Sequence, residues 1–323
     1  MRIHFINVGY GEAILVEEGD ARLLIDGGPS DPALLAGDGP VSAAAYLRAR
    51  GIDRLDAVLM THLHDDHISG LCEVLRTCRV GQIWSNIVPH GPLRQMLARM
   101  EPHREESLSA HLFYDAMTSY QTILTLAAEK NIPITAVCAD SAPVQLGGLH
   151  LTFFGMDETR MQETCAAFEE MICETAEDRL CSLFARNDRC CNATSLAVHV
   201  TGTHGSALLT GDKVAGWDHI AAGHTIRADV LKLTHHGQID GMPEAMLTGA
   251  DPSVIVICAD QNRRFHSACP EILSRASDYL LEKGREPAVY VTGSLELPSG
   301  GLGNALVLNF TGTLPITKEL CKI

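Results

Sequence analysis

Apolar residues recur along this chain at two spacings, and the switching between them predicts strands and helices in alternation. The runs Ile3 to Val8, Ala13 to Glu17 and Ala21 to Ile25 are separated by glycine-containing turns, which predicts a three-strand meander ending at Asp26-Gly27-Gly28. Val41 to Arg50 has helical spacing and Ile52 to Met60 returns to a strand. A helix is expected over Ile68 to Cys78 and a strand over Gly81 to Ile87. Pro92 to Lys130 carries Met96, Leu97, Met100, Leu108, Leu112 and Met117 at three- and four-residue spacings, which predicts helices covering a cleft. Ile132 to Val137 and Val144 to Phe154 restore strands, the second folded back at Gly147-Gly148. Asp157 to Asp188 is acidic and helical, and reads as a solvated helical face or an inserted lid. Thr194 to Val200 and Ser206 to Thr210 then form a hairpin, Asp229 to Thr234 and Ser253 to Cys258 continue that sheet, and Glu271 to Lys283 is a helix.

This succession is expected to make one domain over residues 1–323, with helical insertions near 92–130 and 157–189. A hydrophobic fraction of 46% with mean hydropathy +0.07 is that of a globular chain, and no apolar run reaches the about eighteen residues of a membrane span. The first residues read as a strand and not as a leader. Eleven cysteines, an odd number without a Cys-x-x-Cys pair, suit reduced thiols and a cytoplasmic location, with Cys138 and Cys258 as core filler. The net charge of −15 argues against broad electrostatic capture of nucleic acid, so such a substrate would have to be gripped locally. Oligomeric state is not readable from these patterns.

The densest polar feature lies directly after the strand Asp56 to Met60. In His62-Leu63-His64-Asp65-Asp66-His67, three imidazoles and two carboxylates fall within six positions. His62 and His64 project to one side at the period of a strand. If the chain turns into a helix at Asp65 and Asp66, a second pair, Asp66 and His67, faces a second ion, as in dinuclear centres about 3.5–4 Å across. A polar loop of solvated histidines is the plainer reading. Imidazoles and carboxylates without thiolate suit Zn²⁺ and also accept Mn²⁺ or Fe²⁺. Gly211-Asp212 sets another carboxylate at a strand end, against an ordinary turn aspartate. Asp26 has the same two readings. His235 and His236 follow a strand, where a packed structural histidine is the alternative to a ligand, and Arg263 and Arg264 offer a guanidinium fork for a phosphate oxygen.

His62-x-His64-x-Asp66-His67, with Asp26-Gly27-Gly28 upstream and Gly211-Asp212 downstream, resembles the metallo-β-lactamase superfamily of metal hydrolases. More narrowly the chain is similar to the hydrolase domain of ComEC-type competence (DNA-uptake) proteins, through Phe5 to Ala13, Leu24 to Gly28, Leu208 to Asp212, Asp229 to Gly237 and Asn262 to His266 in the same order. The resemblance implies a mixed α/β (α+β) fold, a four-layer αββα sandwich, holding two divalent metal ions, zinc by default. It implies that His62 and His64 bind one ion, Asp66 and His67 the other, and that Asp212 bridges them. Asp26 would orient a ligand histidine or the nucleophilic water from outside the metal shell. His235, falling where its strand runs out, would be the last ligand, with His236 turned toward substrate. His266 would act as catalytic acid or phosphate contact, and Asn262, Arg263 and Asn192 would bind substrate.

Two departures stand out. Phe265 and Ser267 occupy positions that are glycine and proline in the family's corresponding segment. Many superfamily members also place a histidine ligand where this chain reads Cys190-Cys191-Asn192, so that Asn192 or a cysteine sulfur would have to substitute and one or two ions remain open.

The reaction implied is metal-dependent hydrolysis of a phosphodiester or nucleotide, in the manner of a phosphodiesterase or nuclease, by a metal-bound hydroxide, with Asp66 holding metal at the reacting centre and His236 or His266 assisting the leaving group. The same kind of site also serves lactonases, β-lactamases and thioesterases. Diiron oxidoreductases carry a glutamate at the position of His64, which argues against that class. A non-catalytic binding protein is the remaining reading.

Overall fold

The computed structural model describes residues 1–312 and 316–323. The meander is β1 (Arg2–Ile6), β2 (Ile14–Glu18) and β3 (Ala21–Ile25), followed by α1 (Ala43–Ala49), whose first turn is capped by the Ser42 side chain. The strand expected over Ile52 to Met60 is split at Asp56 into β4 (Arg54–Leu55) and β5 (Ala57–Met60). The next helix is also split, at Gly70, into α2 (Asp65–Ile68) and α3 (Leu71–Thr77), before β6 (Arg79–Val80) and β7 (Ile83–Ser85). Then come α4 (Leu93–Met100), α5 (Leu108–Lys130), β8 (Ile134–Ala136), β9 (Val144–Leu146), β10 (Leu149–Phe154), α6 (Glu158–Cys173) and α7 (Glu177–Cys190). The second half runs β11 (Ala197–Gly202), β12 (Gly205–Leu209), α8 (Trp217–Gly223), β13 (Val230–Lys232), α9 (Glu244–Ala250), β14 (Val254–Ile257), α10 (Pro270–Glu282), β15 (Val289–Val291), β16 (Ala305–Asn309) and β17 (Thr317–Cys321).

Among the described residues the strands form two large sheets, ordered β17-β16-β1-β2-β3-β5-β7-β8 and β15-β14-β13-β12-β11-β10-β9, with β4 and β6 as a small parallel pair. Strand alternation sorts each sheet's side chains onto two faces. Ile3, Phe5, Val16 and Leu59 of the first sheet pack against Leu151, Phe153, Val200 and Val256 of the second, in one shared core. On its other face the first sheet presents Ile6, Leu15, Val58 and Met60 to α1, α3 and the helices α4 to α7. The second sheet presents Leu208, Leu231 and Ile257 to Trp217, Met246 and Ile272 of α8, α9 and α10. The result is the four-layer αββα sandwich.

The 158–190 helices carry the expected solvated face and a buried one as well, with Phe168, Met171, Ile172, Leu180, Leu183 and Phe184 in the helix-side core of the first sheet. The acidic residues between them occupy the outer face of amphipathic helices. The chain also returns from the second half to the first sheet, where β16 pairs antiparallel with β1. Among the described residues no helix is long and apolar enough to cross a membrane, and all eleven cysteines are unpaired.

Candidate metal centre

The centre lies where the ends of β3, β5, β12 and β13 meet. The chain leaves β5 through Thr61 and His62 and enters α2 at Asp65. Close approach fixes this path: a Cβ on Gly11 would collide with the Asp66 carbonyl, and one on Gly70 with the Gly27 carbonyl. The backbone is then tied from three sides, by Glu12 N–H to Asp66 O at 3.0 Å, Gly27 N–H to His67 O at 2.7 Å and Leu196 N–H to Thr61 O at 2.9 Å. Asp212 follows β12 through Gly211, whose φ is +51°. The turn after β13 is left-handed at both His235 and His236, with φ of 50° and 51°.

Each imidazole of the cluster has its outer nitrogen held, which frees the inner one. His67 Nδ1–H donates to Asp26 Oδ2 at 2.7 Å. His236 Nδ1–H donates to the Cys258 carbonyl at 2.8 Å, and a carbonyl only accepts, so the proton sits on Nδ1. Thr61 gives its hydroxyl proton to Asp26 Oδ2 at 2.7 Å, so its oxygen accepts from His62 Nδ1 at 3.1 Å. The freed Nε2 atoms converge: those of His67 and His236 are 3.2 Å apart, and His236 Nε2 is 3.0 Å from Asp66 Oδ2 and 3.4 Å from Asp212 Oδ2. His67 Nε2 lies 3.5 Å from Asp212 Oδ1, and His62 Nε2 lies 4.0 Å from Asp212 Oδ2. Two sets with metal-ligand spacing result, His62 with His67 and Asp212, and Asp66 with His67 and His236.

His64 is arranged the other way round. Its Nδ1 faces His62 Nε2 at 3.1 Å, while its Nε2 lies 3.5 Å from Asp188 Oδ1 at the end of α7. Ser109 of α5 donates its hydroxyl to the other Asp188 oxygen. A carboxylate behind a ligand imidazole sets its orientation and basicity, and losing one commonly weakens metal binding 10- to 100-fold. Asp188→Ala is therefore expected to lower metal affinity by about tenfold at unchanged fold, read by metal content after dialysis against graded chelator. Retention equal to the parent protein's would show that the helical segment is not needed to hold His64.

The charges fit a cation. Burial works against a proton on His67, but Asp212, Asp66 and Asp26 hold its pKa well above the usual value. Burial likewise opposes a charged His236, which Asp212 and Asp66 still raise to about 9. His62 is pushed well below its usual value by burial and by His67 and His64. Burial would raise Asp212, yet His236 and His67 hold it well below the carboxylate range. Asp26 is raised, chiefly by burial. Asp212 Oδ1 is buried without a hydrogen-bond partner among the described residues, which an incoming cation would satisfy.

Of the residues singled out in the sequence, the structure brings together His62, His64, Asp66, His67, Asp212 and His236, with Asp26 behind them. His235 points away: its Nδ1 donates to Asp240 Oδ1 at 2.9 Å, and its Nε2 accepts from Asn192 Nδ2 at 3.1 Å. Asn262, Arg263 and His266 are exposed on the loop after β14, and Arg264 is engaged by Asp260, its backbone N–H at 2.9 Å and its Nε at 3.5 Å. Sequence reasoning missed Thr61, Asp188 and a fully buried pair, Lys232 with Glu12, beneath Asp212. A lysine in the apolar strand Asp229 to Thr234 was the available signal for the last, since such a residue is buried only when paired.

The fold is that of the metallo-β-lactamase superfamily, and a family model described as Metallo-beta-lactamase superfamily matches residues 6–122, the stretch with the His62 to His67 run. The match covers about a third of the chain, and the superfamily it describes consists mostly of hydrolases. Among curated proteins, the anti-Pycsar protein Apyc1 of Saccharibacillus brassicae is 30% identical over 102 residues, 27% of this chain and 38% of that protein. The chain thus matches well under half the length of that relative. Similar solved structures include the metallo-beta-lactamase fold protein YhfI of Bacillus subtilis, with a TM-score of 0.44, 14% identity, and 90% of this chain and 96% of that one covered. A diphosphatase of the PhnP family aligns with a TM-score of 0.44 at 12% identity, over 100% and 99% of the two chains. Human tRNase Z, short form, aligns with a TM-score of 0.43 at 13% identity, over 82% and 94%.

Proposed function

We propose that this chain is a divalent-metal-dependent hydrolase of phosphodiesters, one domain throughout, related within its superfamily to the hydrolase domain of ComEC-type competence proteins. The observation that carries the reading is the convergence of three imidazole Nε2 atoms and two carboxylates in two adjoining sets that share His67, each imidazole held from behind. His62, the Nδ1 of His64 and Asp212 would hold one ion, and Asp66, His67, His236 and Asp212 the other. In this reading His236, not its neighbour His235, closes the second group. Asn192 stands where many relatives have a further histidine, and its Oδ1 is buried without a hydrogen-bond partner among the described residues, a neutral oxygen donor left free for the first ion. Nitrogen and carboxylate donors favour zinc, with manganese or iron also accommodated.

Ions held there supply Lewis acidity and lower the pKa of water at the site. The chain's own residues do the rest. Asp66 and Asp212 set the charge at the reacting centre. With His236 committed to the cluster, the exposed His266 would protonate a leaving oxygen, and Arg263 on the same loop would bind a phosphate oxygen.

Phosphodiester specificity rests on the ComEC-like motifs and is tested by a substrate panel. The purified protein, assayed for metal content, should hydrolyse bis-p-nitrophenyl phosphate, lose that activity to chelator and regain it with Zn²⁺ or Mn²⁺. Turnover of a lactone, a β-lactam or a thioester with none of the phosphodiester would replace this reading with one of those.

A further inference from the structure

Seven of the eight phenylalanines are buried, whereas Phe265 is 47% exposed. It stands on a loop whose backbone is costly to form. Arg263, Phe265, His266 and Ala268 have φ of 51°, 52°, 59° and 44°, the left-handed region that non-glycine residues avoid. Such a run persists only where its surroundings over-determine it, and it concentrates at functional sites. Here Ala268 N–H donates to the His236 carbonyl at 2.8 Å and Cys269 N–H to the Gly237 carbonyl at 3.0 Å. The loop is clamped to the turn that delivers His236 to the cluster.

Its aromatic ring continues a row of rings leading out from that cluster. The Tyr10 ring lies 4.8 Å from the His236 ring, and the Phe265 ring lies 5.2 Å from the Tyr10 ring at an interplanar angle of 57°. Tyr10 is buried, so the row's exposed end is Phe265. An acidic chain of net charge −15 gains little from general attraction to a polyanion. Stacking on a ring needs no net charge and tolerates any base, because every base has a π-face.

We infer that Phe265, backed by Tyr10, is a stacking subsite for the nucleobase next to the scissile phosphate, with Arg263 beside it for the phosphate. This inference rests on the phosphodiesterase reading and narrows it to nucleotide esters. The metal-loaded protein and Phe265→Ala would be compared on two chromogenic diesters with one leaving group, thymidine 5′-(p-nitrophenyl phosphate) and methyl p-nitrophenyl phosphate. Phe265→Ala should raise KM for the thymidine ester by about tenfold with kcat little changed, leave the methyl ester unaffected, and be rescued by Phe265→Trp. An equal KM rise on both esters would mean that the ring meets the aryl leaving group, and no change on either that it meets nothing; both outcomes overturn the subsite and leave the phosphodiesterase reading standing. Calorimetric titration with thymidine 5′-monophosphate and with inorganic phosphate reads the subsite without turnover. The nucleotide should bind more tightly, by a margin that Phe265→Ala removes, and equal binding overturns the inference. Should neither ester be hydrolysed, the reading of the reaction falls while this titration still decides the subsite.

Discussion

Asp212→Ala is expected to abolish metal retention and to cut phosphodiester hydrolysis by at least about a thousandfold, roughly 4 kcal/mol of transition-state stabilisation. Among the described residues its carboxylate alone approaches all three buried imidazoles of the cluster, at 3.4 Å from His236, 3.5 Å from His67 and 4.0 Å from His62. Its removal therefore disables both ligand sets at once, whereas loss of Asp66 leaves the His62 side intact. The fold should survive, because Asp212 lies at the end of a strand whose pairing and apolar core do not involve its carboxylate. The measurement that separates a ligand from a structural residue is the midpoint of thermal unfolding with and without Zn²⁺. Metal at a hundredfold excess over Kd should stabilise the parent protein by about 2.7 kcal/mol and leave Asp212→Ala unmoved. A variant that is still stabilised by metal, or still hydrolyses bis-p-nitrophenyl phosphate at the parent rate, would remove Asp212 from the centre of the mechanism.

The features legible in the sequence are those with local causes. The meander, the strand into His62, the turn into helix at Asp65 and the hairpin of β11 with β12 each follow from spacing and turn residues within about ten positions. The unread features depend on distant partners. Nothing local to 305–309 shows that β16 pairs with β1, some three hundred residues away in sequence. The acidic helices α6 and α7 drew attention by charge, while their burial depends on α4 and α5 lying alongside.

The orientations of His235 and His236 were hidden for a different reason. The strand runs out at Lys232, and both histidines lie in a left-handed turn where side-chain direction no longer follows the period of two. The holders of the cluster were invisible for the first reason again. Asp188 and the Cys258 carbonyl reach it only because α7 and β14 end there. The pattern of candidate ligands could be seen in the chain, then, but the groups that set their tautomers belong to the tertiary structure.

Lys232→Met is expected to destabilise the protein by about 3–5 kcal/mol, the cost of stranding a buried charge. Lys232 and Glu12 are both fully buried and ion-paired, with the ammonium donating to the Gly211 carbonyl at 2.9 Å and lying 4.0 Å from Asp212 Oδ1. Burial opposes the charged lysine, and Glu12 with Asp212 more than reverses it, raising its pKa. In Lys232→Met the Glu12 carboxylate would be left buried without its counter-charge. The double variant Lys232→Met/Glu12→Leu removes both charges and should regain most of the loss in denaturant unfolding, since a buried pair contributes little net stability against a well-packed apolar one. Metal affinity should not recover with it. The lysine also anchors the Gly211 carbonyl that precedes Asp212, and Glu12 N–H holds the Asp66 carbonyl from the same turn, so the pair ties the turns carrying the two carboxylate ligands. A stable double variant with metal affinity down about tenfold is the expected result. If stability and metal affinity return together, the pair serves folding alone, and if Lys232→Met unfolds at the parent's denaturant concentration, the charge is not buried as described.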